Sequence, residues 1–226
     1  MRTTIISGII ASVFGLLAPH ILQAQGTTYL SNLDQSSAGS LAVGSDSWLG
    51  ANFQTGTNAG GYVLDSVQLE LADASGSPSG FTAMLYANGK LGGPTPGSSL
   101  GTLNGSLDPV AAGVYTYIPA STLTLSARTS YFIVLTAGTA VAGGAYEWSY
   151  AGSNAYDPSG GWFSDGVLCT SSNGSSWPSL TTSYLLFAIS GSPVPEPSSL
   201  TFVGLGVFLL VWRHRKAKAI YEKKNH

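Results

Sequence analysis

Few residue combinations in this chain could carry out catalysis. None of its three His residues lies between positions 21 and 213, which removes Ser-His-Asp, Cys-His and His-metal chemistry from the central region. The single Cys, Cys169, has no His there to activate it and cannot form a disulfide within the chain. We interpret Cys169 as a small buried hydrophobic residue and predict no catalytic residue in the chain.

Carboxylates are the remaining candidates for chemistry. Residues 27–192 carry nine acids, and two carboxyl groups held ~5–9.5 Å apart can hydrolyse a glycoside. No motif selects one pair from the nine acids. A secreted glycoside hydrolase is therefore the least favoured of the three function classes that we consider. Asp157 and Asp165 could supply some of the six to eight oxygens that Ca²⁺ needs, but no Asp-x-Asp-x-Asp spacing supports a site. We predict no metal and no cofactor.

Aromatic residues concentrate between positions 146 and 177. Because aromatic rings offer a large apolar face to a sugar, Trp162, Trp177 and Tyr156 are candidate glycan contacts. Alternation places Trp148 and Tyr150 on one face of a predicted strand, and we favour a core position for both. A core or a surface position stays open for Trp162 and Trp177. A carbohydrate-binding surface protein is therefore the second function class.

The charges divide the chain into two regions. Residues 27–192 hold nine acids and two bases, a net charge of −7, whereas residues 213–226 hold six bases and one acid, a net charge of +5. An acidic body and a basic tail indicate two different environments. The body has no basic stripe that could meet phosphates, so we predict no nucleic-acid partner.

The N-terminal residues 1–24 are typical of a secretory signal peptide. Arg2 precedes a mostly apolar stretch at 5–17, which is shorter than the ~20 residues of a membrane span. A small residue, Ala24, ends the segment. We predict that the Sec translocon exports the chain and that signal peptidase cleaves it between Ala24 and Gln25. The alternative is an uncleaved anchor helix.

The C-terminal residues 193–226 contain three successive parts. A Pro-rich extended stretch ends in Pro195-Glu196-Pro197, a predicted transmembrane helix spans 199–212, and a basic cytoplasmic tail occupies 213–226. The apolar run 200–212 would rise only ~20 Å against ~30 Å of hydrocarbon. The basic cluster that follows nevertheless favours a membrane segment, because its long side chains resist translocation and can snorkel. These stop-transfer residues are Arg213, Arg215, Lys216 and Lys218.

This arrangement of Val194-Pro195-Glu196-Pro197, a short Gly-containing helix and an Arg-rich end resembles the PEP-CTERM sorting signal. The resemblance implies an exosortase substrate in a Gram-negative bacterium that makes exopolysaccharide. It further implies a transient single-pass form in the inner membrane, followed by the cell surface or the extracellular matrix. The chain has no Leu-Pro-x-Thr-Gly sortase motif. The alternative is an ordinary single-pass membrane protein with a Pro-rich linker.

Residues 25–192 form the predicted body. They are rich in Gly, Ser and Thr, turn signals interrupt them at short intervals, and no stretch has sustained helical periodicity. We predict an all-β fold, a single antiparallel β-sandwich or jelly roll. The run 131–135 lacks alternation and should be a central strand buried on both sides. The predicted strands are 28–33, 48–55, 67–71, 81–86, 114–118, 121–125, 131–136, 146–151 and 184–189.

The body also resembles the choice-anchor R domain, a bacterial surface domain found ahead of varied C-terminal anchors. The resemblance implies a fold and a surface location but no activity, so the first function class is a non-enzymatic exported protein. It rests on Phe53-Gln54-Thr55-Gly56, residues 62–69, Leu85-Tyr86 with Gly93-Pro94 and Gly97, and residues 129–135 after Leu123.

Overall fold

The computed structural model describes residues 26–89, 94–154 and 156–196. Within these ranges the chain forms strands and one 3₁₀ turn, Val141–Gly143, and it contains no α-helix. The strands are β1 (Thr27–Ser31), β2 (Ser37–Val43), β3 (Trp48–Gln54), β4 (Tyr62–Gly76), β5 (Thr82–Asn88), β6 (Pro96–Asn104), β7 (Gly113–Pro119), β8 (Thr124–Leu125), β9 (Ser130–Thr136), β10 (Gly144–Ala151), β11 (Asp157–Pro158), β12 (Val167–Ser171), β13 (Ser179–Thr182), β14 (Tyr184–Leu185) and β15 (Phe187–Pro193).

All strand pairs are antiparallel and belong to one curled sheet. Its main strand order is β11-β1-β15-β4-β7-β6-β5-β9-β3-β12-β13. Outside this order, β10 pairs with β2, with β14 and with the C-terminal end of β4. One half of this order runs from β11 to β7, and the other half runs from β6 to β13. The two halves are joined by two residue pairs between β6 and β7, Leu103 with Pro119 and Asn104 with Ile118. The predicted all-β antiparallel class is confirmed. The finer assignment to a sandwich or jelly roll stays a prediction.

The longest strand, β4, shows how sequence alternation builds the core. Tyr62 and Leu64 are buried at its start, and Val67, Leu69 and Leu71 are buried after residue 65. The buried positions change from even to odd because the register with β15 shifts between its partners Leu64 and Ser66. A bulge adds one residue to one strand and so restores the apolar side chains to the core face.

Strand β9 is buried on both faces, as its uninterrupted apolar sequence predicts. Tyr131, Ile133 and Leu135 point into the main core, which residues from both halves of the sheet enclose. Phe132 and Val134 point to the other face. There they form an outer cluster with Met84, Tyr86 and Cys169, covered by Trp48, Val167 and Trp177.

All nine predicted strands overlap observed ones, but β2, β6, β12 and β13, as well as the two-residue β11, were not predicted. The missed β2 and β6 have the sequences SAGSLAV and PGSSLGTLN, which hold few β-branched or aromatic residues. Their neighbours decide their conformation, since β2 pairs with β10 along six registered positions and β6 pairs with β5 along five. Tertiary pairing therefore outweighs local propensity in both strands.

Both predicted membrane-directed segments, the signal peptide at 1–24 and the helix at 199–212, lie outside the described residues. Among the residues that are described, no helix has the length and apolar character to cross a bilayer. Strand β1 begins at Thr27, two residues after Gln25, the predicted start of the mature chain.

Truncating a core side chain of β4 should destabilise the whole body. Leu69 is fully buried between β7 and β15, so Leu69→Ala removes apolar contacts and leaves a cavity. We expect a loss of about 2–5 kcal/mol in the free energy of unfolding, measured by chemical denaturation of the full chain in detergent. The matched variant Leu107→Ala, at a side chain that is 72% exposed, should change it by under about 0.5 kcal/mol. Equal effects of the two variants would contradict this core.

Candidate functional site

The residues of the Pro-Glu-Pro motif that the structure describes, Pro195 and Glu196, follow β15 without a linker. Strand β15 lies inside the sheet between β1 and β4, and its last residue, Pro193, pairs with Tyr62 at the start of β4. Pro195 and Glu196 are both exposed. The third motif residue, Pro197, and the stop-transfer residues of the basic tail lie outside the described residues.

The motif is bound to the body by residues 58–61, which we call the docking loop. The Val194 N–H donates to the Gly61 carbonyl at 3.0 Å, and the Asn58 side-chain amide donates to the Val194 carbonyl at 3.0 Å. The Ala59 N–H donates to the Glu196 carboxylate at 3.2 Å. The loop therefore binds both backbone polar groups of Val194 and the only charge of the motif.

Turn geometry and an aromatic cluster support the docking loop. The Gly61 N–H donates to the Asn58 carbonyl at 2.9 Å, and Gly61 has a φ of 78°, which favours glycine. The Asn58 N–H donates to the hydroxyl of Tyr62 at 3.1 Å. Tyr62 is buried, and its ring packs edge-on against Tyr29 at 5.1 Å and Trp162 at 5.0 Å. The loop thus packs on a cluster of aromatic rings around Tyr62, Tyr29 and Trp162, which we call the aromatic base.

Trp162 belongs to this base and not to a ligand-binding surface. Its side chain is 1% exposed, and its ring is stacked between Tyr29 at 5.0 Å and Phe53 at 5.8 Å, with interplanar angles of 7° and 3°. Both faces of the indole are therefore covered. The predicted glycan contact for Trp162 is corrected, because a sugar stacks on a free ring face.

The other two glycan candidates differ from each other. Tyr156 is partly buried, packs on Phe187 at 5.4 Å and donates its hydroxyl to the Leu185 carbonyl at 3.3 Å. Burial raises the pKa of Tyr156 well above its usual value. Its ring and its hydroxyl are thus used within the fold, so the structure does not place Tyr156 with an exposed binding surface.

Trp177 is the candidate that borders open space. It is partly exposed above the outer cluster and lies 6.4 Å from Tyr86, edge to face. It lines a groove of about 500 Å³ together with Thr95, Pro96 and Ser175. An aromatic face that borders open space is what the predicted glycan contact at Trp177 requires. By contrast, Trp148 is fully buried and donates its indole N–H to Leu186, which confirms its predicted core position.

The remaining candidate groups are the carboxylates of the body. Within the described ranges, no three His, Cys, Asp or Glu side chains lie close enough to share a metal ion. Asp165, one of the two carboxylates weighed for calcium, accepts a hydrogen bond from the Asn52 side chain.

A Gly-x-Ser-x-Gly spacing, the pattern of the nucleophile elbow of hydrolases, occurs at residues 97–101. It lies inside β6, where Ser99 pairs with Tyr86. A nucleophile elbow needs a sharp turn from strand to helix, and an extended strand does not provide one. The spacing is therefore part of the sheet.

The docking loop is the part of the candidate site that the sequence did not predict. The run Asn58-Ala59-Gly60-Gly61 carried a turn signal only, and a turn it is. Nothing local indicates that it binds a segment 136 residues further along the chain. The residue type at position 60 agrees with this contact, because a Cβ atom on Gly60 would lie 2.5 Å from the Val194 carbonyl oxygen.

The candidate site is thus an extended, Pro-rich acidic peptide docked at the edge of a folded body. A family model described as the PEP-CTERM protein-sorting motif matches residues 193–216 of this chain. The match includes the docked residues Pro193–Glu196, the helix predicted at 199–212 and part of the basic tail. It implies exosortase-dependent sorting of an exported protein. No curated protein matches the chain at a significant level.

The thiol of Cys169 should be inert in the folded protein. The residue is fully buried, and burial raises the pKa of its thiol to about 12. Since a raised pKa keeps the thiol protonated until the pH approaches that value, almost no reactive thiolate exists near pH ~8. We expect iodoacetamide to leave Cys169 unmodified in the native chain and to alkylate it fully in denaturant, as measured by mass spectrometry. Rapid alkylation of the native chain would contradict this burial.

Proposed function

We propose that this chain is an exported, non-enzymatic surface or extracellular-matrix protein that an exosortase processes at its C-terminal sorting signal. The observation that carries the proposal is the family match at 193–216, which coincides with an exposed Pro195-Glu196 at the end of the folded body. The protein would cross the cytoplasmic membrane, remain anchored as a single-pass form, and then lose its anchor. The body would be released or transferred to the cell surface.

Each part of the signal has a physical task in this proposal. Proline rings hold the motif extended and make it accessible to a protease, and Glu196 supplies a charge for recognition. The helix at 199–212 presents the motif at the outer face of the cytoplasmic membrane. The basic cluster at 213–218 stays inside and sets the depth and orientation of the helix.

Export and destination complete the proposal. The signal peptide at 1–24 would direct the chain to the Sec translocon, with cleavage between Ala24 and Gln25 by signal peptidase. The host would be a Gram-negative bacterium, and the destination would be its exopolysaccharide or biofilm matrix. The acidic, Gly- and Ser-rich body and its resemblance to choice-anchor R domains support a surface role.

The mature product should lack both ends. Intact-mass analysis of protein released by the host should show a chain that begins at Gln25 and lacks residues from Leu200 onward. Glu196→Ala should leave full-length protein in the inner membrane, because the variant removes the only charge of the motif. We expect the amount of processed product to fall about tenfold or more, because a charge-assisted hydrogen bond contributes about 1.5–3 kcal/mol.

The matched control is Asp34→Ala, which removes an exposed acid from the body outside the motif. This variant should be processed like the wild type. Recovery of a released wild-type chain that still carries its hydrophobic end, or normal processing of Glu196→Ala, would count against exosortase sorting.

A second candidate function is weak glycan binding at the Trp177 groove. The observation that favours it is the partly exposed indole beside Thr95 and Ser175 in a groove open to solvent. Stacking on the ring and hydrogen bonds to the hydroxyls would suit a polysaccharide chain. This function is compatible with sorting, since a matrix protein needs a means of retention.

Removing the indole tests this function. Trp177→Ala should weaken binding to purified host exopolysaccharide by about fivefold or more, given ~1 kcal/mol for one stacked ring. Phe163→Ala is the control, since Phe163 is 44% exposed and lies outside the groove. Binding would be measured by co-sedimentation, with thermal unfolding as the check on folding. A Trp177→Ala chain that folds and binds as well as the wild type would exclude the groove.

A further inference from the structure

The docking loop limits how far the body can stand from the membrane. With Glu196 held by Ala59, only residues 197 and 198 separate the docked motif from the helix predicted to begin at 199. Three extended residue steps span ~10 Å, and the polar headgroup layer on one side of a bilayer is itself ~5–8 Å thick. While the motif is docked, the body must therefore lie almost against the membrane surface. An enzyme has little room there to surround Pro195 and Glu196.

The docked motif also directs its recognition groups toward the body. Pro193 and Pro195 have no N–H group, so Val194 carries the only backbone donor of these three residues, and it is bonded to Gly61. The Val194 carbonyl is bonded to Asn58, and the Glu196 carboxylate accepts from Ala59. A processing enzyme that reads the extended backbone and the acid would have to take over these same groups.

We propose that the docking loop occupies the backbone polar groups of Val194 and the carboxylate of Glu196, and that these groups must leave residues 58–61 before the processing enzyme can bind the motif. This inference rests on the proposed function and adds a controlling step to it. Release of Val194, Pro195 and Glu196 adds three residues to the tether, or about 10 Å of reach. The strand pairing of β15 up to Pro193 can stay intact during this release.

Such docking lowers the rate of processing in proportion to the fraction of chains in which the motif is docked. Few hydrogen bonds hold the motif on the docking loop, and the one to Glu196 is exposed to water. The docked motif should therefore detach more readily than the core strands separate. Weakening the docking should therefore speed processing and leave the folded body unchanged.

Two variants weaken the docking in different ways. Gly60→Ala places a Cβ atom against the Val194 carbonyl oxygen, at a residue whose own backbone would accept alanine. Asn58→Asp removes the amide donor to Val194 and puts carboxylate oxygens beside two carbonyls. Gly152→Ala is the matched control, because its nearest atom would be the Ala38 side chain at 3.7 Å.

The experiment uses the full chain in two strains of one host. In the strain with exosortase, pulse-chase labelling measures the rate at which the precursor becomes the shorter product. In the strain without exosortase, hydrogen exchange of the membrane-bound precursor measures protection of the Ala59 and Val194 amides. We expect Gly60→Ala and Asn58→Asp to raise the processing rate and the amide exchange rate about two- to tenfold, the effect of one lost hydrogen bond. Gly152→Ala should match the wild type in both rates.

Two outcomes overturn the docking proposal. One is faster exchange with processing that is unchanged or slower, which would make the loop a purely structural or a helpful support. The other is unchanged exchange in both variants, which would mean that the loop does not hold the motif. A wild-type precursor that is not converted even with exosortase contradicts the proposed function itself. The two failures are therefore distinguishable.

Discussion

The central constraint on this protein is the pairing of its last described strand inside the sheet. Strand β15 is hydrogen-bonded to β1 on one side and to β4 on the other, and Phe187, Ala188 and Ile189 are buried. A strand bonded on both edges cannot leave without opening the core. The motif that follows therefore begins at a fixed point on the body, and the body's own surface determines how the motif is presented.

The aromatic residues near this point act through packing. Stacking of Trp162 between Tyr29 and Phe53, with Tyr62 edge-on, gives a base on which residues 56–61 lie closely. Gly56 illustrates this closeness, because a Cβ there would meet Tyr62 and Trp162 at under 3 Å. Trp162, a candidate glycan contact in the sequence, thus supports the loop that holds the sorting motif. Trp177, another glycan candidate, lines an open groove.

Local sequence was sufficient where side-chain pattern and packing agree. The apolar run of β9 predicted its burial on both faces, and alternation correctly placed Trp148 in the core. It was insufficient for β2 and β6, because Gly and Ser have low strand propensity and partner strands impose their conformation. The choice-anchor R resemblance and the signal peptide stay predictions.

The sequence by itself determined the sorting signal, because order and spacing along the chain are what define it: the Pro-Glu-Pro motif, an apolar run and a basic end. It also determined the all-β class, since alternation and turn residues are local properties. Only the tertiary structure decided that the motif is docked on residues 58–61. That contact joins the Asn58 side-chain amide to the Val194 carbonyl, 136 positions further along the chain, and no local residue pattern marks a pairing over that distance.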